Sequence, residues 1–251
     1  NLSDNQLGKE GATTIIKTLK NCLNFHLVLL NLSHNQIHNK ETFSMIHSFK
    51  TLKFLDLSFN EIKAYEAVTA IAPALEKDIN LISLNLSHND IGDWGAIQII
   101  EALKNHSNLI SLNFSHNHIG DYEAIFMIQQ LKNLRSIDIS YNQISCHEII
   151  NMIEIAQARQ DHPNLISINI SQNPILNKND RLNAIKKALS KNINAPSLNT
   201  SDNRSKSITI DQAYPHEIFF AGTDQQIGIQ SNPELKENFQ NLTINLSNNQ
   251  I

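Results

Sequence analysis

Residues 84–91 read Leu84-Asn85-Leu86-Ser87-His88-Asn89-Asp90-Ile91, and Gly92-Asp93-Trp94-Gly95-Ala96 leads on from them towards Leu103. Two periods meet in this stretch. From Leu84 to Ser87 apolar and polar residues alternate, as in a strand with one buried face. Beyond Asn89 the apolar residues Ala96, Ile99, Ile100 and Leu103 fall at i, i+3, i+4 and i+7, one stripe of a helix. A strand and a helix therefore occupy fewer than thirty residues.

The unit recurs along the chain. Leu30–Ile37, Leu55–Ile62, Leu112–Ile119, Ile137–Ile144 and Ile168–Ile175 repeat its eight-residue core, each with serine and asparagine in place. The sequence opens partway through a copy, closes on another, and carries a worn copy at Ser197–Asn203. The fixed asparagines are Asn5, Asn35, Asn60, Asn89, Asn117, Asn142, Asn173, Asn203 and Asn249, at intervals of 30, 25, 29, 28, 25, 31, 30 and 46. Helical stripes recur too, at Ala12, Ile15, Ile16 and Leu19; Thr42, Met45, Ile46 and Phe49; Ala124, Met127, Ile128 and Leu131; and Ile149, Met152, Ile153 and Ala156. Such self-similarity specifies a stacked solenoid. The expected fold is α/β, with parallel strands on a concave face and helices on a wider convex face that bends the stack into an arc.

The spacing L-x-x-L-x-L-x-x-N-x-L resembles the leucine-rich repeat. In particular, N-Q-L-G-K-E-G-A at Asn5–Ala12 and N-D-I-G-D-W-G-A at Asn89–Ala96 resemble the ribonuclease-inhibitor-like class, which also occurs in NOD-like receptors and in the activating protein for the Ran GTPase. The resemblance covers nearly the whole chain and implies a horseshoe of about eight to nine repeats in a single domain, 1–251. The two 25-residue intervals depart from that class and imply a shortened helix or turn. The last interval is too long and implies an irregular insertion near 204–240, where Tyr214, Phe219 and Phe220 are candidate contact residues in short strands and turns. Bare solenoid ends expose core and strand edges, so further capping units of a longer protein are expected.

Equivalent positions stack into columns about 4.8 Å apart. Leucine and isoleucine columns fill the core. The fixed asparagine is structural, since its amide can satisfy the backbone of its own turn and of the next. Four residues before it stands an Asn/Asp column and two before it a serine column, both expected on the concave face as a uniform polar surface. Discrimination belongs where columns vary. Six residues before the asparagine stand Leu29 and Phe54, and just before it stand His34, Phe59, His88, His116 and Tyr141. Exposed aromatic residues in a patch are the expected partner-binding surface. His88 and His116 are equivalent residues of adjacent units, so their rings can meet near His118. No acidic or cysteine residue completes a metal set there, and a modest pH sensitivity is expected instead. Trp94 is the only tryptophan; it is read as capping or packing at its helix start, with partner contact as the alternative.

Composition closes several routes. With 41% hydrophobic residues in 251 the chain folds, and its net charge of −4 leaves no basic footprint for nucleic acid. No apolar run reaches the roughly 18 residues of a membrane span. Cys22 and Cys146, five units apart, are expected to be reduced and mostly buried, as in cytosol. Asn31, Asn85, Asn113, Asn169 and Asn245 each begin an N-x-S triplet, so secretion would place glycans across the concave face; this again favours cytosol. Phosphate-loop, dinucleotide, zinc-protease and dithiol motifs are absent, so neither enzyme activity nor a cofactor is expected. Lysine outnumbers arginine 16 to 4 and asparagine and isoleucine abound, as AT-rich coding would give. In that respect the repeats look like leucine-rich repeat effectors that intracellular bacterial pathogens deliver into host cells. The resemblance implies a host protein as partner and host cytosol as the place of action. The alternatives are a small-GTPase regulator resembling the Ran activator and the substrate-recognition part of a ubiquitin ligase.

Overall fold

Among the described residues, seven three-residue strands lie side by side in one open parallel sheet, in chain order. They are β1 (Leu29–Asn31), β2 (Phe54–Asp56), β3 (Ser83–Asn85), β4 (Ser111–Asn113), β5 (Ser136–Asp138), β6 (Ser167–Asn169) and β7 (Ser197–Asn199). The computed structural model describes residues 1–21, 26–77, 80–145, 147, 151, 167–173 and 197–199. The pairing is unshifted: Leu30, Leu55, Leu84, Leu112, Ile137, Ile168 and Leu198 are partners across the sheet. Register is fixed because a one-residue slip would turn every leucine of a strand out of the core. The expected α/β leucine-rich repeat solenoid, with its concave parallel sheet, is the fold observed.

Helices run between the strands. They include α1 (Gly8–Asn21), α2 (Lys40–Ser44), α5 (Gly92–Leu103) and α6 (Asp121–Gln130). The shortened units fall where the 25-residue intervals place them. In the first, α2 has five residues and a 3-10 turn at Ile46–Ser48 completes it; in the second, α6 has ten against twelve in α5. A third helical stretch is built of α3 (Ala64–Glu66), a π turn over Ala67–Ile71 and α4 (Ala72–Leu75). Pro73 supplies a reason for the π turn, since it lacks an N–H and its ring crowds the carbonyl four residues back.

Both stripes meet in one core. Ala96, Ile99, Ile100 and Leu103 of α5 and Ala124, Met127, Ile128 and Leu131 are buried in one cluster with the strand and turn residues Leu84, Leu86, Ile91, Leu112 and Phe114. Each buried leucine or isoleucine contributes about 1.5–3 kcal/mol. The α1 stripe is buried at Ala12 and Ile16 and half-buried at Ile15 and Leu19, on the first repeat described. The stripe from Ile149, both cysteines and the 204–240 insertion with Tyr214, Phe219 and Phe220 lie outside the described residues.

Helices α3 and α5 approach closely at Gly95. A Cβ there would stand 2.7 Å from Ile91 Cγ2, 3.0 Å from Ala67 Cβ and 3.2 Å from Ala64 Cα. Alanine ordinarily favours a helix over glycine by about 1 kcal/mol. Here the buried Ile91 side chain has to shift and α3 has to give slightly, and Gly95→Ala is expected to lower stability by about 1–3 kcal/mol in urea unfolding.

The serine column corrects an expectation. Ser33, Ser58, Ser87, Ser115, Ser140 and Ser171 are only 4–6% exposed and do not face the concave solvent. The strand ends after three residues, and the chain then turns about the Asn/Asp side chain. Asn31 Oδ1 accepts the Ser33 N–H at 2.9 Å and its hydroxyl at 2.8 Å; Asp56 and Asp138 treat Ser58 and Ser140 alike. Strand alternation predicts the direction of a side chain only while the strand lasts.

Candidate protein-binding face

The face is built on the turn that follows each strand. Its buried hinge is the fixed asparagine. Asn60 Oδ1 accepts backbone N–H groups of Asn35 and Ile37 in the preceding repeat, at 3.2 and 3.1 Å. Its Nδ2 donates to the carbonyls of Leu32, Leu57 and Ser58 at 2.8–3.1 Å. Asn35, Asn89, Asn117 and Asn142 make corresponding bonds, so one column of side chains ties each turn to its neighbour.

The residue just before each hinge adopts a left-handed conformation. His34, Phe59, His88, His116 and Tyr141 have φ of 55°, 54°, 54°, 55° and 53°. Each N–H donates to a serine carbonyl of the next repeat, at 2.8–3.1 Å: His34 to Ser58, Phe59 to Ser87, His88 to Ser115, His116 to Ser140 and Tyr141 to Ser171. Identical backbone geometry at a constant spacing sends the side chains out in parallel. The rings consequently form a continuous stack: every neighbouring pair has centroids 3.8 Å apart, with planes within 13–19°. That separation is shorter than the roughly 4.8 Å between strands, so the rings converge beyond their backbones into van der Waals contact. Asp4 and Gln172 occupy equivalent left-handed positions at its two ends, and Asp4 Oδ1 lies 3.8 Å from His34 Nδ1.

The stack confirms that the His88 and His116 rings meet and extends the contact through five repeats. It also sets their chemistry. Burial, with repulsion from His88 second, pulls His116 down to about 4; burial followed by His34 lowers His88 as well, and Asp138 opposes both shifts weakly. Both rings are therefore neutral at pH 7, as close stacking requires. His118 stands apart from the stack, 3.9 Å from Asp90. Among the described residues no group of histidine, cysteine and carboxylate side chains has the arrangement of a metal site.

Leu29 and Phe54 are exposed register partners on β1 and β2, beside exposed Val28. They form a column of their own, with Asn31 and Asp56 between them and the rings in sequence. The expected patch is thus two stripes rather than one cluster around Phe59. Val28 was missed in the sequence because it precedes the alternating segment. A groove along the first rings is lined by Asp4, Gln6, His34, Gln36, Phe59, Glu61 and His88.

Trp94 belongs to neither stripe. It lies in the first turn of α5 and is 58% exposed, while the N-cap position is Ile91. Its side chain does not cap the helix, and more than half of it faces solvent. Tyr65 and Tyr122 are equally exposed, and each stands five residues after its fixed asparagine, as Trp94 does. That shared offset was the available signal, and it lay outside the strand segment on which column reading concentrates.

Two family profiles match this geometry. The one described as "Leucine Rich repeat" matches residues 1–15, 23–40, 50–64 and 77–99, and "Leucine Rich repeats (2 copies)" matches 107–149. The chain thus has the leucine-rich repeat fold, with profile matches over less than half of its length; leucine-rich repeat domains in general mediate protein–protein interaction as scaffolds rather than by catalysis. No curated protein sequence matches it. Among solved structures, human 5T4 (Wnt-activated inhibitory factor 1, trophoblast glycoprotein) is 21% identical with a TM-score of 0.49, over 71% of this chain and 60% of that one. An internalin of Listeria monocytogenes is 21% identical with a TM-score of 0.42, over 74% and 56%. Leiomodin-1 actin-binding site 2 is 16% identical with a TM-score of 0.40, over 70% and 88%. The chain thus spans 60% of the length of the first of these structures. No helix among the described residues is long and apolar enough to cross a membrane.

Proposed function

We propose that this chain is a protein-binding solenoid whose partner seats on the ring column and the adjacent Leu29–Phe54 stripe. One observation carries the reading: five consecutive repeats hold a ring in the left-handed region, with the outer edges of His34, Phe59 and Tyr141 open to solvent. A left-handed conformation costs a bulky residue on the order of 1–2 kcal/mol. A stack held at that cost, aromatic throughout, offers a rigid anchor that loses little entropy on binding. The proposed partner is a host protein met in host cytosol, with this chain acting as an effector of an intracellular bacterium. The lysine-rich, arginine-poor composition and the N-x-S triplets across the concave columns support that part of the reading.

The test separates binding from folding. Asparagine tolerates the left-handed region well, so Phe59→Asn is expected to change unfolding free energy by less than about 1 kcal/mol. Phe54→Ser removes an exposed ring. A host-cytosol protein crosslinked by the parent is expected to bind the Phe54→Ser, Phe59→Asn variant at least tenfold more weakly. Equal affinity for parent and variant would remove the concave site.

A further inference from the structure

Tyr65, Trp94 and Tyr122 occupy the same offset in three consecutive repeats, at the starts of α3, α5 and α6, and are 60%, 58% and 64% exposed. These elements pack in sequence, α3 on α5 and α5 on α6. The Ala64–Gly95 approach brings the first two turns into close contact directly beside Tyr65 and Trp94. Tyr122 further stacks on Phe126, with centroids 5.9 Å apart and planes at 13°, which fixes its ring upright on α6. The three rings make a row on the outer rim, built on other elements than the concave column.

The charge around the row is one-sided. Stretches 62–66, 90–95 and 118–123 contain Glu66, Asp90, Asp93, Asp121 and Glu123, the last only 7% exposed, against a single lysine, Lys63. Among the described ion pairs, Asp90 faces only His118, at 3.9 Å, and the other four carboxylates have none. Several are held in place by the backbone: Asp93 Oδ1 accepts the Gly120 N–H at 2.7 Å, Glu66 accepts the Lys63 N–H at 3.1 Å, and Asp121 accepts the Ser145 N–H. Electronegative ring faces set among fixed carboxylates attract a guanidinium or ammonium group, and indole does so most strongly. An apolar partner surface would leave those carboxylates desolvated.

We propose that this rim is a second docking surface, for a lysine- or arginine-rich segment of a partner protein whose cations lie over Tyr65, Trp94 and Tyr122. Binding here is independent of the concave site.

The only tryptophan lies in the row, so intrinsic fluorescence reports on it directly. The probe is an eight-residue peptide alternating arginine and glycine, with the same peptide carrying neutral citrulline for arginine as control. The arginine peptide is expected to shift or quench Trp94 emission saturably, more weakly as salt rises, and the citrulline peptide is expected to bind at least tenfold more weakly. With labelled peptide and anisotropy, Tyr65→Ser with Tyr122→Ser, and separately Glu66→Gln with Asp121→Asn, should each cost tenfold or more. The amides keep the acceptor oxygens that cap the turns, so loss with them reports charge rather than unfolding. The Phe54→Ser, Phe59→Asn variant should bind the arginine peptide unchanged. No emission change at millimolar peptide, equal binding of the citrulline form, or loss on the concave variant alone would overturn the rim site. Concentration-dependent self-association abolished by Tyr65→Ser with Tyr122→Ser would also overturn it, by assigning the row to a second copy.

Discussion

Asn60→Ala is expected to cost at least 4 kcal/mol of unfolding free energy, more than any single leucine truncation in the same repeat. The side chain is fully buried. It accepts from two N–H groups and donates to three carbonyls, drawn from two successive repeats. Alanine leaves those backbone groups dry and largely unpaired, and each unsatisfied buried group costs about 1–3 kcal/mol. Water is a poor substitute, because the site is enclosed by Leu32, Leu57 and Ile62, all without exposed surface. Asn60→Asp should be nearly as damaging, since it keeps the acceptor but turns a carboxylate on three carbonyls. The result can be read from chemical unfolding followed by far-UV circular dichroism. A loss below about 1 kcal/mol would mean that the turn refolds around the gap and that the ladder is not its organiser. A solenoid adds a second signature: damage at a central repeat uncouples its neighbours, so the transition should broaden or split.

Strand register, the short helices and the structural asparagine were legible because each depends on local periodicity repeated several times. An error at one repeat is corrected by the others. The ring stack was legible in part. Equivalent positions must adjoin in a solenoid, so His88 meeting His116 followed from spacing alone. Their left-handed backbone did not, since histidine, phenylalanine and tyrosine there defy the preference for glycine and asparagine. Ser33 and its equivalents were misplaced for a related reason: alternation was continued past Leu32, where Asn31 has already bent the chain. Trp94 was seen without Tyr65 and Tyr122, because helix starts differ in length and composition from unit to unit and conceal the common offset.

Acid should weaken this fold through its ring column. In the unfolded chain His88 and His116 take up protons near pH 6.5, whereas in the stack His116 does so only near 4 and His88 is lowered too. Between those values the unfolded state binds more protons than the folded one, so stability falls as pH falls. It is fully present above about pH 6.5 and is lost progressively towards pH 4. The full His116 shift would correspond to about 3 kcal/mol, and discounting for the ring edges that water reaches leaves about 1–2 kcal/mol. Protonating both rings is worse, because two unit charges at about 4 Å repel by roughly 4 kcal/mol at an effective dielectric of 20. Glu123 works in the opposite direction. Burial first, and the Asp93 carboxylate after it, raise its pKa, so its protonation favours the folded state as acid is added. A variant with His88→Phe and His116→Phe keeps a continuous column of rings and Glu123 unchanged, which isolates the imidazoles. Parent and variant should show the same pH dependence from pH 8 to 7 and then diverge, the parent losing stability faster between pH 6.5 and 4.5. Parallel curves over that interval would show that the imidazoles titrate as if free, and that the stack does not hold them neutral.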